Sequence, residues 1–216
     1  MNQNYEVLCM TLGMAATNGY FFYKKDHDAG DGKHHGIYFD PPDLGGKIYE
    51  ALKDRNCVID AILLTHAHFD HIGGAEELRK KSGAKIYCHE KEKEICEDPE
   101  KNVSVDFGRP MTIAPDVWLH DDEMFSAAGM TCKVLHTPGH TIGSASFYFE
   151  DAGCVFSGDT LFQQSVGRTD LPTGSMSEQV RSIREKLFTL PDDTAVFPGH
   201  MGETTIGYEK KYNPFL

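Results

Sequence analysis

The feature that most constrains this chain is an apolar run that ends directly at a cluster of metal-binding side chains. Residues 58–65 (VIDAILLT) form a nearly continuous apolar segment of strand length, and residues 65–74 continue as THAHFDHIGG. Such a run predicts a strand buried on both faces of a sheet. In extended backbone the spacing of His66 and His68 points both imidazoles to the same side, and Asp70 and His71 follow immediately. Histidines at the end of an apolar strand cost free energy unless a partner satisfies them, so the cluster predicts a metal site.

This cluster offers too many ligands for one ion. A tetrahedral zinc ion needs three or four protein ligands, so four donors in so short a segment favour two ions side by side. Three further donors each follow an apolar strand and a glycine: His140 in HTPGHTIGS, Asp159 in VFSGDTLF and His200 in VFPGH. Glycine permits tight turns that deliver such side chains to a common edge. The sequence therefore predicts a binuclear site formed by His66, His68, Asp70, His71, His140, Asp159 and His200.

The predicted elements favour one α/β domain over residues 1–216, with two mixed sheets packed face to face and helices outside. A helix from the ligand cluster to about residue 81 and a strand at 84–88 complete a β-α-β unit. Residues 90–109 are charged and poorly patterned, which predicts a surface insertion with a short helix. Further helices are predicted at 43–55 and 177–189, and further strands at 5–12, 20–24, 36–39, 131–135, 145–149, 154–156 and 194–197.

Composition excludes several classes of partner. The net charge is −12 and no Lys/Arg cluster stands out, whereas nucleic acids and anionic membranes require a basic surface. No apolar run approaches the ~20 residues of a membrane span. The apolar stretch 7–16 follows Glu6 and lacks a basic segment before it, so we expect a first strand in a cytoplasmic protein, not an export signal.

The six cysteines form no C-x-x-C pair, which favours reduced thiols over a disulfide framework. Four of them lie in apolar, strand-like runs, where a buried and inert thiol is the expected state. These four are Cys9, Cys57, Cys132 and Cys154.

The order of these motifs resembles the metallo-β-lactamase-fold hydrolase superfamily. The resemblance rests on H-x-H-x-D-H, then a lone His, an Asp and a His, and it covers nearly the whole chain. Within the superfamily, VGRTDLPTG (166–174) and the end GHMGETTIGYEKKYNPFL (199–216) look like the short hydroxyacylglutathione hydrolase (glyoxalase II)-like branch. The resemblance implies an αββα sandwich with the metals at one edge. It also implies that His66, His68 and His140 hold one metal, that Asp70, His71 and His200 hold the other, and that Asp159 bridges them.

The implied chemistry is hydrolysis of a small-molecule thioester or ester. Two divalent ions ~3.5–4 Å apart can share a hydroxide, and coordination lowers the pKa of water to about 7. That hydroxide attacks a carbonyl carbon, while Asp70 binds metal and either orients the hydroxide or carries a proton. Imidazole and carboxylate ligands suit zinc, with iron and manganese as alternatives. A thiolate at the position of Asp159 would have favoured a β-lactamase-like second site.

The sequence gives weaker indications for substrate binding. Arg168 could clamp a substrate carboxylate or could pair with Asp170 to fix its loop, and both hypotheses stay open. Lys210 could add anion binding. We further expect Asn18 in the wall of the cleft and His136 close to the metals. Full-length glyoxalase II enzymes carry a C-terminal helical domain that holds glutathione, whereas only residues 201–216 follow His200, so we expect a smaller or more loosely held thioester.

Other functions on the same fold remain open. The GRTD motif also resembles persulfide dioxygenases, which use a single iron and oxygen. A lactone or β-lactam hydrolase is another alternative, and a non-catalytic metal-binding member is a remote one, since such members should have lost ligands. The sequence does not specify the oligomeric state.

Overall fold

The computed structural model describes all 216 residues. Its first sheet places the carboxyl ends of three parallel strands at one edge. Its strands are β1 (Tyr5–Leu12), β2 (Thr17–Lys24), β3 (His34–Phe39), β4 (Cys57–Leu63), β5 (Lys85–His89) and β6 (Val117–Leu119). They lie side by side in chain order. The first three are antiparallel neighbours, and β3 to β6 are parallel. The carboxyl ends of β3, β4 and β5 therefore share an edge.

The second sheet is mixed as well. Its strands are β7 (Met124–Ala127), β8 (Met130–His136), β9 (Ala145–Phe149), β10 (Cys154–Gly158), β13 (Ala195–Pro198) and β14 (Thr204–Thr205), and a separate hairpin pairs β11 (Leu161–Phe162) with β12 (Ser165–Val166). The spatial order is β14-β13-β10-β9-β8-β7. Because β9 is antiparallel to both β8 and β10, and β10 is parallel to β13, the strands β8, β10 and β13 end at the same edge.

Aromatic side chains fill the space between the two sheets. Phe22 and Phe39 from the first sheet meet Phe149 and Phe156 from the second, and all four are at most 1% exposed. The rings of Phe39 and Phe156 stack with centroids 3.9 Å apart. Burying each such side chain is worth about 1.5–3 kcal/mol, so this layer is a main source of the sandwich's stability.

Six helices cover the outer faces of the sandwich. They are α1 (Gly45–Lys53), α2 (Phe69–Ile72), α3 (Ala75–Ser82), α4 (Lys93–Glu97), α5 (Met176–Glu185) and α6 (Ile206–Tyr212), with 3₁₀ turns at Glu90–Glu92 and Leu187–Thr189. Ile48 and Leu78 pack on the outer face of the first sheet, and Ile183 and Ile206 pack on that of the second. The predicted αββα sandwich is confirmed.

One helix was predicted too long, and one segment whose short helix is confirmed as α4 was wrongly placed wholly on the surface. The helix expected from the ligand cluster to residue 81 is divided into α2 and α3 at Gly73-Gly74, where the chain passes close to the start of α1. A Cβ on Gly45 would lie 2.1 Å from the carbonyl oxygen of Gly74, so the two segments touch through backbone. The segment 90–109 is not only a surface insertion, since Glu92, Asn102 and Ser104 within it are fully buried.

The expectation of four buried thiols was also wrong in part. Cys132 and Cys154 are buried, whereas Cys9 is exposed and Cys57 is partly exposed. Cys9 lies on the edge strand β1, on the same face as Tyr5 and Val7, and the second sheet leaves this part of the face open as a groove. No helix of the structure is long and apolar enough to cross a bilayer.

Candidate metal centre

Ligand-type residues follow five strands that end at the shared edge of the sandwich. The segment after β4 carries His66 and His68, and the short helix α2 carries Asp70 and His71. His140 follows β8, Asp159 follows β10 directly, and His200 follows β13. Asp40 follows β3. The fold therefore delivers side chains that are up to 160 residues apart in sequence to one place.

The seven predicted residues lie together in three overlapping groups. His66, His68 and His140 form one group, and Asp70, His71 and His200 form another; within each group the ligand atoms lie within 4.8 Å of one another. The nearest pair is His68 Nδ1 and His140 Nε2, at 2.8 Å. These two groups are the ligand sets that the sequence resemblance implied.

Asp159 lies between the two groups. Its Oδ2 is 3.5 Å from His140 Nε2 and 3.4 Å from His200 Nε2. Its Oδ1 is 3.4 Å from His71 Nε2. Since these contacts reach members of both groups, the carboxylate occupies the position that a bridging ligand requires.

Burial sets the protonation of the histidine group. It lowers the pKa of His66 and His140, and it lowers the pKa of His68 to about 3, with the neighbouring imidazoles adding to the shift for His66 and His68. These side chains are therefore neutral at pH 7 and offer free lone pairs, as metal ligands must.

The carboxylates of the site are ionised. Burial opposes ionisation of Asp70 and Asp159, but His71 and His200 overcome it and lower both pKa values. Conversely, burial opposes charge on His200, and Asp159 and Asp70 raise its pKa to about 9. The pKa of His71 is also raised against burial because it faces Asp70, Asp159 and Asp40. Buried negative charge of this density requires a positive partner, either these imidazoles or a cation.

A carboxylate that sequence analysis missed fixes the orientation of two imidazoles. Asp40 Oδ2 accepts hydrogen bonds from His71 Nδ1, at 3.0 Å, and from Thr65 Oγ1, at 2.6 Å. The Thr65 hydroxyl oxygen lies 3.1 Å from His66 Nδ1 and, because its own hydrogen is donated to Asp40, it accepts a hydrogen bond from that nitrogen. Both rings therefore hold a hydrogen on Nδ1, so Nε2 is the atom that faces the site and that a bound metal would engage.

One backbone carbonyl and one hydroxyl orient two further ligands. The carbonyl oxygen of Arg168 accepts a hydrogen bond from His140 Nδ1 at 2.7 Å, so this ring also presents its Nε2. Thr17, buried at the start of β2, donates its hydroxyl to Asp70 Oδ2 at 2.6 Å. These contacts restrict the rotation of side chains that a metal would otherwise have to order.

Glu92, also missed by sequence analysis, ties the two ligand-bearing loops together. One carboxylate oxygen accepts from the N–H of Ala67 at 2.9 Å. The other accepts from the hydroxyl of Thr141 at 2.8 Å and from the N–H of Gly143 at 2.9 Å. Burial raises the pKa of Glu92 to about 7 although these three donors oppose the shift. An Asp at the end of β3 and a Glu in a charged segment carry no local pattern that would have identified either residue.

Two glycines allow this close packing. A Cβ on Gly199 would lie 2.3 Å from Asp159 Oδ1, and one on Gly167 would lie 1.8 Å from the carbonyl oxygen of Asp159. A larger residue at Gly199 would displace the central carboxylate, and one at Gly167 would displace the backbone that carries it.

The donor set fits metal ions on two observations. Four buried polar atoms of the cluster have no hydrogen-bond partner in the protein: His66 Nε2, His68 Nε2, His71 Nε2 and Asp159 Oδ1. Buried polar atoms in native proteins are nearly always satisfied, so an unpaired group of this size indicates a partner outside the chain. Five imidazoles and two carboxylates are ligands that zinc, iron and manganese accept.

The cluster opens into a cleft of about 400 Å³, a size suited to a small-molecule substrate. Arg168 lines this cleft, and its guanidinium holds the Asp170 carboxylate through two contacts of 2.7 Å. Lys210 is not at the cleft, because α6 places its ammonium against Asp192 and the carbonyl of Leu190.

Asn18 lies away from its expected position, and His136 supports a ligand-bearing loop. Asn18 is not in the cleft wall; it lines a separate groove along β1 and binds the carbonyls of Pro198 and Met201 on either side of His200. His136 does not join the metal-type groups; it stacks on His89 at 4.3 Å and donates to the carbonyl of Ile142. Asn18 thus supports the His200 loop, and His136 supports the His140 loop.

Comparison with known proteins agrees with this geometry. Residues 28–200 match the family model of the metallo-beta-lactamase superfamily. The chain is 40% identical over 209 residues to the probable metallo-hydrolase YqgX of Bacillus subtilis, covering 96% of this chain and 95% of the relative. It is 37% identical over 191 residues to the hydroxyacylglutathione hydrolase GloC of Haemophilus influenzae, covering 86% of this chain and 89% of the relative.

The structure is similar to solved structures over almost its full length. It matches the BLEG-1 B3 metallo-beta-lactamase with a TM-score of 0.90 and 40% identity, covering 98% of this chain and 99% of the other. It matches TTHA1623, solved in a di-iron-bound form, with a TM-score of 0.83 and 34% identity, covering 97% of this chain and 100% of the other.

Proposed function

This chain belongs to the metallo-beta-lactamase superfamily, and from that premise we propose that it is a binuclear metal-dependent hydrolase of small-molecule thioesters such as a hydroxyacylglutathione. The observation that carries the proposal is the convergence of seven donors, four of whose buried atoms have no partner in the protein. The similarity to a hydroxyacylglutathione hydrolase supports the thioester as the bond that is cleaved.

We assign one metal to His66, His68 and His140, the other to Asp70, His71 and His200, and the bridge to Asp159. Zinc is the proposed metal, with iron and manganese as alternatives that suit the same ligands. When bound, such a pair of ions supplies a nucleophilic hydroxide at neutral pH and positive charge that stabilises an oxyanion.

The chain's own residues orient the reacting groups. Asp70 lies in the cleft wall with its side chain 14% exposed, so it can exchange a proton with a substrate while Thr17 holds its Oδ2. Its lowered pKa keeps this carboxylate ionised, so it can hold a metal and accept a hydrogen bond that orients the attacking water.

The test combines metal analysis with turnover. Purified protein is expected to contain two divalent ions per chain and to release thiol from S-lactoylglutathione. Asp70→Asn should lower kcat at least 100-fold and reduce metal content, whereas Asp193→Asn, at an exposed turn, should change neither. Unchanged turnover in Asp70→Asn, or protein purified without transition metal, would refute the proposal.

A β-lactam hydrolase is the second candidate, because the match to a B3 metallo-beta-lactamase covers nearly the whole chain. A chromogenic cephalosporin assayed beside the thioester separates the two, since the better substrate has the higher kcat/KM. One iron per chain with oxygen uptake would instead favour the dioxygenase alternative.

A further inference from the structure

The wall of the metal cleft is largely apolar outside the metal ligands. Five of its twelve lining residues are hydrophobic: Ala15, Phe69, Val103, Phe107 and Leu171. The nearby tip of the β1–β2 loop adds Met14, whose side chain is 69% exposed. Exposed apolar groups around a cleft indicate a ligand that covers them.

Two rings form the main apolar surface of this wall. Phe69 and Phe107 stack with centroids 4.1 Å apart and an interplanar angle of 24°, and we call this pair the aromatic shelf. Phe107 is 45% exposed, so its contact with Phe69 leaves much of the residue open to a ligand. Phe69 directly precedes Asp70, which places the shelf beside the proposed reaction centre.

The segment that carries Phe107 is anchored to the ligand loop. The N–H of Phe69 donates to the carbonyl oxygen of Asn102 at 3.0 Å, and Asn102 Nδ2 donates to the carbonyl oxygen of Met111 at 2.8 Å. Between these anchors Val103 has a φ of +67°, a strained conformation for a β-branched residue, and it lines the cleft. The chain thus maintains strain to hold an apolar residue in the wall, which is typical of binding sites.

Charges in the wall do not favour an anionic substituent. Apart from the metal ligands, the charged lining residues are Asp106 and Arg168. Arg168 already holds Asp170 through two hydrogen bonds, and this pairing lowers the pKa of Asp170 to about 2. Asp106 would repel a carboxylate placed near the shelf.

We propose that the aromatic shelf of Phe69 and Phe107 binds an apolar or aromatic substituent of the substrate, so that the preferred substrates are hydrophobic thioesters. This inference rests on the proposed thioester hydrolysis and specifies which members of that class are bound best. Phe107 is the specificity-determining residue, since it is the exposed half of the shelf.

The test uses the metal-loaded protein and two substrate series. One series varies the acyl group from acetyl to hexanoyl and phenylacetyl on N-acetylcysteamine, and the other varies the thiol on a fixed acetyl group. We expect kcat/KM to rise roughly tenfold or more along at least one series, as expected for added apolar contact in a pocket. S-Lactoylglutathione should fall below the best hydrophobic thioester.

Phe107→Ala should abolish most of that rise by increasing KM for the larger thioesters, while metal content stays within twofold of the parent. Val105→Ala is the matched control, because Val105 has the same 45% exposure in the same segment but does not line the cleft. An unreactive phenylalkyl thioether gives a readout without turnover, and calorimetry should show its affinity falling about tenfold in Phe107→Ala only.

Equal kcat/KM along both series, or thioether binding that is insensitive to Phe107→Ala, would overturn the shelf while leaving thioester hydrolysis intact. Absence of turnover with every thioester would refute the proposed function. Even then, Phe107-dependent binding of the thioether would support the shelf, and its absence would overturn it.

Discussion

The clearest test of the site's architecture is Asp40→Asn, because it changes one atom of a carboxylate that reaches no substrate. Asp40 has a φ of +46°, a left-handed conformation that Asn tolerates well, so the backbone should be preserved. The amide oxygen can still accept from the N–H of Thr65, which now binds Oδ1 at 2.7 Å. The amide nitrogen then replaces Oδ2 and can no longer accept from His71 Nδ1 or the Thr65 hydroxyl.

Two consequences follow from that replacement. Loss of two hydrogen bonds to a charged acceptor, partly offset by a new bond to Thr65, should lower the free energy of unfolding by about 2 kcal/mol. For a chain of this size that corresponds to a decrease in Tm of roughly 4–8 °C. The –NH₂ group also forces His71 into the tautomer with hydrogen on Nε2, which blocks its metal-facing lone pair and should weaken metal binding about 10–100-fold.

Thermal unfolding of the metal-free protein measures the first effect, and competition with a chromogenic chelator measures the second. Asp54→Asn, at the exposed end of α1, serves as the control and should change neither quantity. Parental metal affinity in a correctly folded Asp40→Asn variant would refute the proposed control of the His71 tautomer.

Three further predictions follow from the same geometry. Removing metal with a chelator should abolish thioester hydrolysis and lower Tm, and adding zinc, iron or manganese should restore both; activity that survives metal-free dialysis would contradict the site. Gly199→Ala should lower the free energy of unfolding by about 1–3 kcal/mol and reduce metal content, because its Cβ would lie 2.3 Å from Asp159 and 2.6 Å from His71. Gly202→Ala is the control, since its Cβ would meet only the end of the Gln163 side chain. Since the folded pKa of Glu92, about 7, exceeds its unfolded value, its contribution to stability is greatest at low pH and is lost as pH rises through 7. Between pH 5 and 8, the free energy of unfolding should therefore fall less steeply with pH in Glu92→Gln than in the parent protein. Parallel curves for the two proteins would contradict the raised pKa of Glu92.

The fold and the seven-residue cluster could be predicted from sequence because both have local signatures. The apolar run at β4 and the spacing of His66 and His68 are properties of a few consecutive residues. Glycine before His140, Asp159 and His200 repeats the same strand-end context three times. Such patterns reflect backbone geometry that is set within each element. They can therefore be recognised without knowing what the element packs against.

Asp40, Glu92 and the aromatic shelf became visible only in the tertiary structure. Asp40 accepts hydrogen bonds from residues 25 and 31 positions away in the sequence. Glu92 accepts hydrogen bonds from residues 25, 49 and 51 positions away. Likewise Phe107 meets Phe69 across an irregular segment with no periodic pattern. By itself the sequence determined which donors could bind metal and the class of fold that presents them. The tertiary structure decided how those donors are oriented and what surrounds them, because hydrogen bonds and ring contacts between distant segments exist only once the two sheets have packed.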